Sequence, residues 1–224
     1  MEVNGTQFSA NAVLREAGSV NLRHMVALFL LFTAMAHAVY ACGPFDERST
    51  LSYRLRWMEY ALSASLMLLI VAILSGLRDV YTLEAIFALQ AITMAFGRYA
   101  DRDYEVRARG ERGYSLIEHP SLLGCFPFVA AWSIVIDAFY RTARQGDAPD
   151  FVFGVVFVLL ALDSSFAVVQ TYYLWPRTRE EKSEGRMDAT LRSYDGAMHV
   201  LSLAAKLSLA MMVHRGMLVQ TASP

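Results

Sequence analysis

The chain has few of the features that build disulfide-linked, nucleic-acid-binding or catalytic soluble domains. Its 224 residues include only two cysteines, Cys42 and Cys125, one at the end of an apolar run and one inside another. A disulfide framework is therefore not expected. The net charge of −1 lacks the basic excess of a nucleic-acid-binding protein. The sequence has no metal-ligand cluster, glycine-rich phosphate loop or G-x-S-x-G motif, so we predict no ordinary enzyme.

Long apolar runs dominate the chain instead, and 55% of its residues are hydrophobic. Six runs approach the roughly 20 residues that a membrane-spanning helix needs. Prolines fall at or just beyond the ends of several runs, as helix boundaries require. The sequence therefore predicts an all-α membrane protein, a single transmembrane helix bundle with six visible spans. The predicted spans are 22–41, 53–77, 80–98, 119–140, 151–175 and 194–214.

Basic residues predict how the bundle is oriented in a cell membrane. The loops at 42–52, 99–118 and 176–193, with their flanking turns, carry 13 basic residues, and the opposite side carries 6. Because basic residues concentrate on the cytoplasmic side, we expect both termini to be extracellular. The predicted organisation is a polar extracellular segment over 1–21, a transmembrane bundle over 22–215 and an extracellular tail over 216–224.

The remaining basic residue, Lys206, lies inside the last apolar run and is one of only two lysines in the chain. The helical rise places it roughly 18 Å from the inner face, too deep to reach the interface easily. An ammonium near the bilayer midplane costs at least about 2.5–3.5 kcal/mol. A lysine kept there indicates chemistry, and Schiff-base formation with an aldehyde suits it best. The alternative is a buried ion pair in a transporter.

Three other polar residues are expected near Lys206 in the inner half of the bundle. The same helical rise places His37 at roughly 6 Å, Glu59 at roughly 9 Å and Ser202 at roughly 12 Å from the inner face. Each has a plainer interpretation. Glu59 could pair with Arg56 three residues earlier, His37 could be a satisfied polar residue, and Ser202 could bond its own helix.

Another carboxylate, Asp163, lies twelve residues into its apolar run, near the midplane. We favour a hydrogen-bonded or protonated acid beside Ser164 and Ser165, and the alternative is a proton-transfer site. Glu84 lies near the start of the run at 80–98, where the helix dipole is sufficient to explain a carboxylate.

Several motifs resemble those of heliorhodopsins over roughly residues 25–215. Arg56-Trp-Met-Glu-Tyr-Ala-Leu-Ser-Ala-Ser-Leu-Met67 resembles their third helix, and Val200-Leu-Ser-Leu-Ala-Ala-Lys206 resembles their retinal-attaching seventh helix. Three shorter matches resemble their sixth, fifth and second helices. These are Ser165-Phe-Ala-Val-Val-Gln170, then Gly124-Cys125 with Trp132, and Val26-Ala-Leu-Phe-Leu30 with His37.

The resemblance implies that all-trans retinal binds Lys206 as a protonated Schiff base with Glu59 as its counterion. This is physically reasonable, because a nearby opposite charge favours the charged form. The resemblance also implies a homodimer in the lipid bilayer and a downstream signalling partner. The pocket residues that it implies are Ser202, His37, Ser63, Tyr60, Gln90, Trp132 and Phe166.

The sequence departs from the family in one respect: the family has seven helices, and six are found here. The polar stretch 1–21 stands where the family has its first helix, so a family histidine there has no counterpart. Proton-exporting microbial rhodopsins usually carry a carboxyl donor eleven residues after the counterion, where this chain has Ile70. We therefore expect a light sensor with a slow photocycle. The alternatives are a light-gated or light-driven proton conductor using Asp163 or Glu84, and a non-photoactive membrane subunit.

Overall fold

The structure is a computed structural model and describes residues 2–3, 6–7, 21–42, 50–108, 120–174 and 184–222. These residues form six helices and a short antiparallel ribbon, in which β1 (Glu2–Val3) pairs with β2 (Thr6–Gln7). The helices are α1 (Leu22–Cys42), α2 (Thr50–Leu74), α3 (Val80–Ala108), α4 (Pro120–Gln145), α5 (Asp150–Leu174) and α6 (Glu184–Ala222).

The six helices confirm the predicted membrane bundle. Each contains at least 18 residues apolar enough to cross a membrane, so the described residues hold six candidate spans. Helix α3 packs between α2 and α4, α5 packs on α6, and α1 packs on α2. The main core includes Phe29, Ile86 and Leu209, all fully buried. A second cluster around Trp57, Tyr194 and Met198 fills the end of the bundle at which α2 and α6 begin.

Helix α2 ends three residues earlier than the apolar run predicts. Gly76 adopts φ 95°, a left-handed conformation that closes helices and favours glycine. The amide of Gly76 donates to the carbonyl of Ile73, and that of Leu77 donates to Ala72, each at 3.1 Å. A side chain at Gly76 would also meet the hydroxyl of Thr142 on α4. The apolar run continues through Leu77, but this backbone turn ends the helix.

The start of α3 is capped by Asp79. Its Oδ2 accepts hydrogen bonds from the hydroxyl of Thr82 at 2.5 Å and from the amide of Thr82 at 2.7 Å. These two bonds lower the pKa of the Asp79 carboxyl, the hydroxyl having the larger effect. The cap explains why a new helix begins directly after a loop of only a few residues.

Two helices extend well beyond their predicted apolar runs. Helix α3 continues to Ala108 instead of ending at residue 98, and α6 begins at Glu184 instead of residue 194. Apolar length measures the part of a helix that lies in lipid, whereas backbone hydrogen bonding continues in polar sequence. Helix α6 also continues through Ala222, into the segment predicted as a tail. Loop residues of the charge count such as Arg48 and Lys182 lie outside the described residues.

Candidate functional site

Lys206 and Glu59 form a buried ion pair between α6 and α2. The Nζ atom of Lys206 donates to Oε1 of Glu59, and the two residues are only 5% and 2% exposed. The plainer interpretation, a pair between Glu59 and Arg56, is not what the structure shows. Arg56 instead binds Asp195 on α6, with 2.7 Å between Nη1 and Oδ1. A buried pair of this kind is sensitive to change, because removing one partner leaves the other charge unpaired.

A cavity of about 350 Å³, including its open mouth, adjoins this pair. Four of the predicted pocket residues line it together with Lys206, namely Tyr60, Ser63, Phe166 and Ser202. The Nζ atom of Lys206 lies 5.8 Å from the centre of the Tyr60 ring, within the range of a cation–π contact. The lysine is therefore held by charge on one side and an aromatic face on another.

A second cavity, of about 510 Å³ including its open mouth, lies next to the first. The two share Met94, Asp163 and Phe166 as lining residues. The second cavity reaches α4 at Gly124, where an added Cβ would lie 3.0 Å from the Cβ of Phe96. The two neighbouring cavities, together called the slot, are lined mostly by apolar and aromatic side chains, and the amine of Lys206 lies at the first. Such a lining, apolar with few polar groups, is typical of small-molecule pockets. These residues fit an elongated apolar aldehyde.

Asp163 lies where the two cavities meet and is 4% exposed. Its Oδ2 accepts hydrogen bonds from Nε1 of Trp132 at 2.8 Å and from Nε2 of Gln90 at 3.1 Å. The sequence analysis predicted the neighbouring serines as the hydrogen-bond partners of Asp163. Ser165 instead donates to the carbonyls of Ala161 and Leu162 on its own helix. Asp163 is therefore a hydrogen-bonded acid, as favoured, with partners on α3 and α4.

Gln90 and Trp132, two of the pocket residues implied by the resemblance, lie behind the slot wall. Neither Gln90 nor Trp132 is among the described residues that line the two cavities. Both are buried, with Gln90 at 0% and Trp132 at 3% exposure. The structure thus places them one layer away, where they hold Asp163. Contact with a ligand in the slot stays a prediction for both.

His37 lies on α1 and is half-buried. Its Nδ1 is 2.8 Å from the carbonyl oxygen of Thr33, one helical turn earlier. Among the described residues lining the two cavities, His37 does not occur. Its predicted place beside Glu59 and Ser202 stays a prediction.

Sequence reasoning missed a polar cluster one turn from Glu59, at the start of α2. Arg56 pairs with Asp195, and Trp57 donates through Nε1 to Oδ2 of Asp101 at 3.0 Å. Tyr194 also hydrogen-bonds Asp101, which is 5% exposed. Asp101 lies in the part of α3 that the sequence analysis assigned to a loop. Asp101 and Asp103 are both buried. In the sequence they only alternate with charged neighbours, which is a weak signal of a buried polar cluster.

The fold and the site define a class before any comparison: a polytopic helical membrane protein with a lysine–carboxylate pair buried at the head of an apolar slot. A family model described as Heliorhodopsin matches residues 1–218, which is nearly the whole chain. The chain therefore belongs to the heliorhodopsin family, as the motifs predicted, and is a retinal-binding membrane protein of rhodopsin type. The comparison with curated proteins gives no match.

Proposed function

We propose that the protein is a light sensor in which all-trans retinal forms a protonated Schiff base with Lys206 and Glu59 is the counterion. One observation carries the proposal: the amine and the carboxylate are paired and buried beside an apolar slot, with the amine in its lining. Retinal supplies a conjugated chain that absorbs visible light. The chain's own residues supply an amine for attachment, a negative charge beside it and mostly apolar walls.

Reconstitution tests the proposal directly. Purified apoprotein is titrated with all-trans retinal, and the visible spectrum is recorded. We expect a band that saturates at one retinal for each chain, because the described slot contains one lysine. A spectrum that remains the sum of free retinal and apoprotein would contradict retinal attachment.

The polar residues near the pair support proton exchange confined to one side of the bundle. Glu59, Ser202 and Tyr60 lie around Lys206, whereas Ile70 is fully buried in the core eleven residues after Glu59. An aliphatic side chain cannot donate a proton. Helix α2 thus offers no donor beyond Glu59, and we expect a proton that leaves toward Glu59 to return by the same route, which predicts a slow photocycle and no net pumping.

Voltage-clamped cells expressing the pigment distinguish the sensor from a proton conductor. We expect at most a brief charge movement on illumination, because net transport needs access from both sides. The same brief signal is expected from Asp163→Asn, in which the alternative donor is neutral. A sustained photocurrent that disappears in Asp163→Asn would instead establish the conductor.

The proposed orientation places both termini outside the cell. Single cysteines at Ser52 and Ser183 should react with an impermeant maleimide only after the membrane is opened, whereas cysteines at Asn11 and Ser223 should react in intact cells. Each cysteine is introduced into a protein whose native cysteines are replaced, Cys42→Ser with Cys125→Ser. The four labelling positions lie in polar sequence near helix ends or termini. Labelling of the two termini from opposite sides would contradict an even number of spans.

Contact with lipid follows from the apolar side chains that face away from the bundle. Leu28 and Leu31 on α1 are 66% and 58% exposed, and Val200 on α6 is 68% exposed. Burying such side chains in hydrocarbon is favourable.

We also propose a homodimer and a downstream signalling partner, both from family membership alone.

A further inference from the structure

We propose that Asp163 determines the colour of the pigment, acting as a second negative charge on the part of the chromophore that lies away from Glu59. The inference rests on the proposed attachment of retinal to Lys206. It assigns Asp163 a role different from proton transfer, since the carboxylate acts through its field and need not exchange a proton with the Schiff base.

The position of Asp163 along the slot is the first support. Lys206 lines only the first cavity, whereas Asp163 lines both. A chain that starts at Lys206 and extends into the second cavity would run along the residues that the two cavities share, and Asp163 is one of them. Glu59, in contrast, accepts a hydrogen bond from the Lys206 amine. The two carboxylates therefore lie beside different parts of the same ligand.

The hydrogen bonds of Asp163 are the second support. Trp132 and Gln90 both direct N–H donors at Oδ2, and hydrogen bonds of this kind stabilise a carboxylate. In residues 21–42, 50–108, 120–174 and 184–222, no arginine or lysine forms an ion pair with Asp163. Two opposing effects thus act on its charge, since burial disfavours an ionised group and the two donors favour it.

Among the described residues that line the two cavities, few titratable groups accompany Asp163. Helix α6 contributes Lys206, α2 contributes Tyr60, and α4 contributes Cys125. Helix α3 contributes Met94, which does not titrate. Among these, Asp163 is the carboxylate that shares the slot with the chromophore, while Glu59 lies behind the amine.

The sign of the colour change separates the two carboxylates. Excitation of a protonated retinal Schiff base moves positive charge away from the nitrogen and along the polyene. A negative charge beside the distal polyene therefore stabilises the excited state, whereas one beside the nitrogen stabilises the ground state. Neutralising Asp163 should shift the band to shorter wavelength. Protonation of Glu59 at low pH, where the Schiff base stays protonated, should instead shift the band to longer wavelength.

The test is a pH titration of the visible band in pigment formed from the full chain and all-trans retinal. Wild type should move to shorter wavelength on acidification. Asp163→Asn should have this shorter-wavelength band at every pH, and Asp163→Glu should keep the pH-dependent shift. The matched control is Asp137→Asn, the same change on the exposed face of α4, where the side chain is 59% exposed and pairs with Arg141. Its band should titrate as in wild type, and retinal extracted from each variant should remain one for each chain.

The possible results separate this inference from the proposed function. An Asp163→Asn pigment with the wild-type maximum and titration overturns the colour role alone. If Asp163→Asn does not fold, wild type still decides, because a shift only to longer wavelength assigns the titration to Glu59 and, like the absence of any shift, overturns the colour role of Asp163. A wild type that forms no visible pigment overturns both proposals.

Discussion

Lys206→Ala is expected to form no visible pigment with all-trans retinal. The reason is chemical: an imine needs a primary amine, and Lys206 is the lysine that lines the slot. The only other lysine, Lys182, lies in a charged stretch outside the described residues. The loss of the visible band should be complete, because there is no second buried amine in the described bundle to take over attachment.

A second variant separates chemistry from stability. Alanine leaves Glu59 buried without its partner, and breaking a buried pair costs about 3–5 kcal/mol. Lys206→Arg keeps a positive charge for Glu59 but cannot form the imine. We expect Lys206→Arg to fold and remain colourless, and Lys182→Ala to give the full band. Detection of a borohydride-reducible retinal adduct in either Lys206 variant would show that attachment occurs elsewhere.

The six spans could be predicted because the membrane imposes a length on apolar sequence. Each run of about 20 residues contained a spanning helix, and the predicted start of α1 at residue 22 agrees with Leu22. The helix ends outside lipid were harder to predict. Gly76 stops α2 through a backbone conformation, and α3 continues past residue 98 through charged sequence, so neither end coincides with a change in hydrophobicity.

The closeness of the two charges at the site could be predicted in part from the sequence, because the helical rise gives the depth of each residue in the membrane. Glu59 and Lys206 were expected in the same inner half of the bundle, and the structure brings them together. Whether Glu59 pairs with Lys206 or with Arg56 could not be decided, since both partners are within reach of one carboxylate. That choice depends on the packing of α2 against α6.

Hydrogen bonds between distant helices were beyond sequence reasoning. Gln90 and Asp163 are 73 residues apart, and Trp132 and Asp163 are 31 apart. Helical periodicity assigns a residue to a face but does not give the rotation of one helix against another. The serines beside Asp163 were therefore the only partners that the sequence could offer, and the structure replaces them with Trp132 and Gln90.

Glu59→Gln is expected to bleach the pigment near neutral pH. The substitution keeps the shape of the side chain and removes the charge that stabilises a protonated Schiff base on Lys206. Loss of a buried partner costs about 3–5 kcal/mol. At about 1.36 kcal/mol for each pH unit, the pH at which the visible band disappears should fall by about two to four units.

The measurement is a spectroscopic titration in sulfate buffer, because a halide could occupy the place of the missing carboxylate. Glu59→Asp keeps the charge and should keep a visible band at neutral pH. Glu84→Gln makes the same chemical change at an exposed position on α3 and should titrate as wild type. If Glu59→Gln also titrates as wild type, Glu59 is not the counterion. The role would then pass to Asp163, the buried carboxylate that lines the slot, because a cation at that depth needs a negative partner.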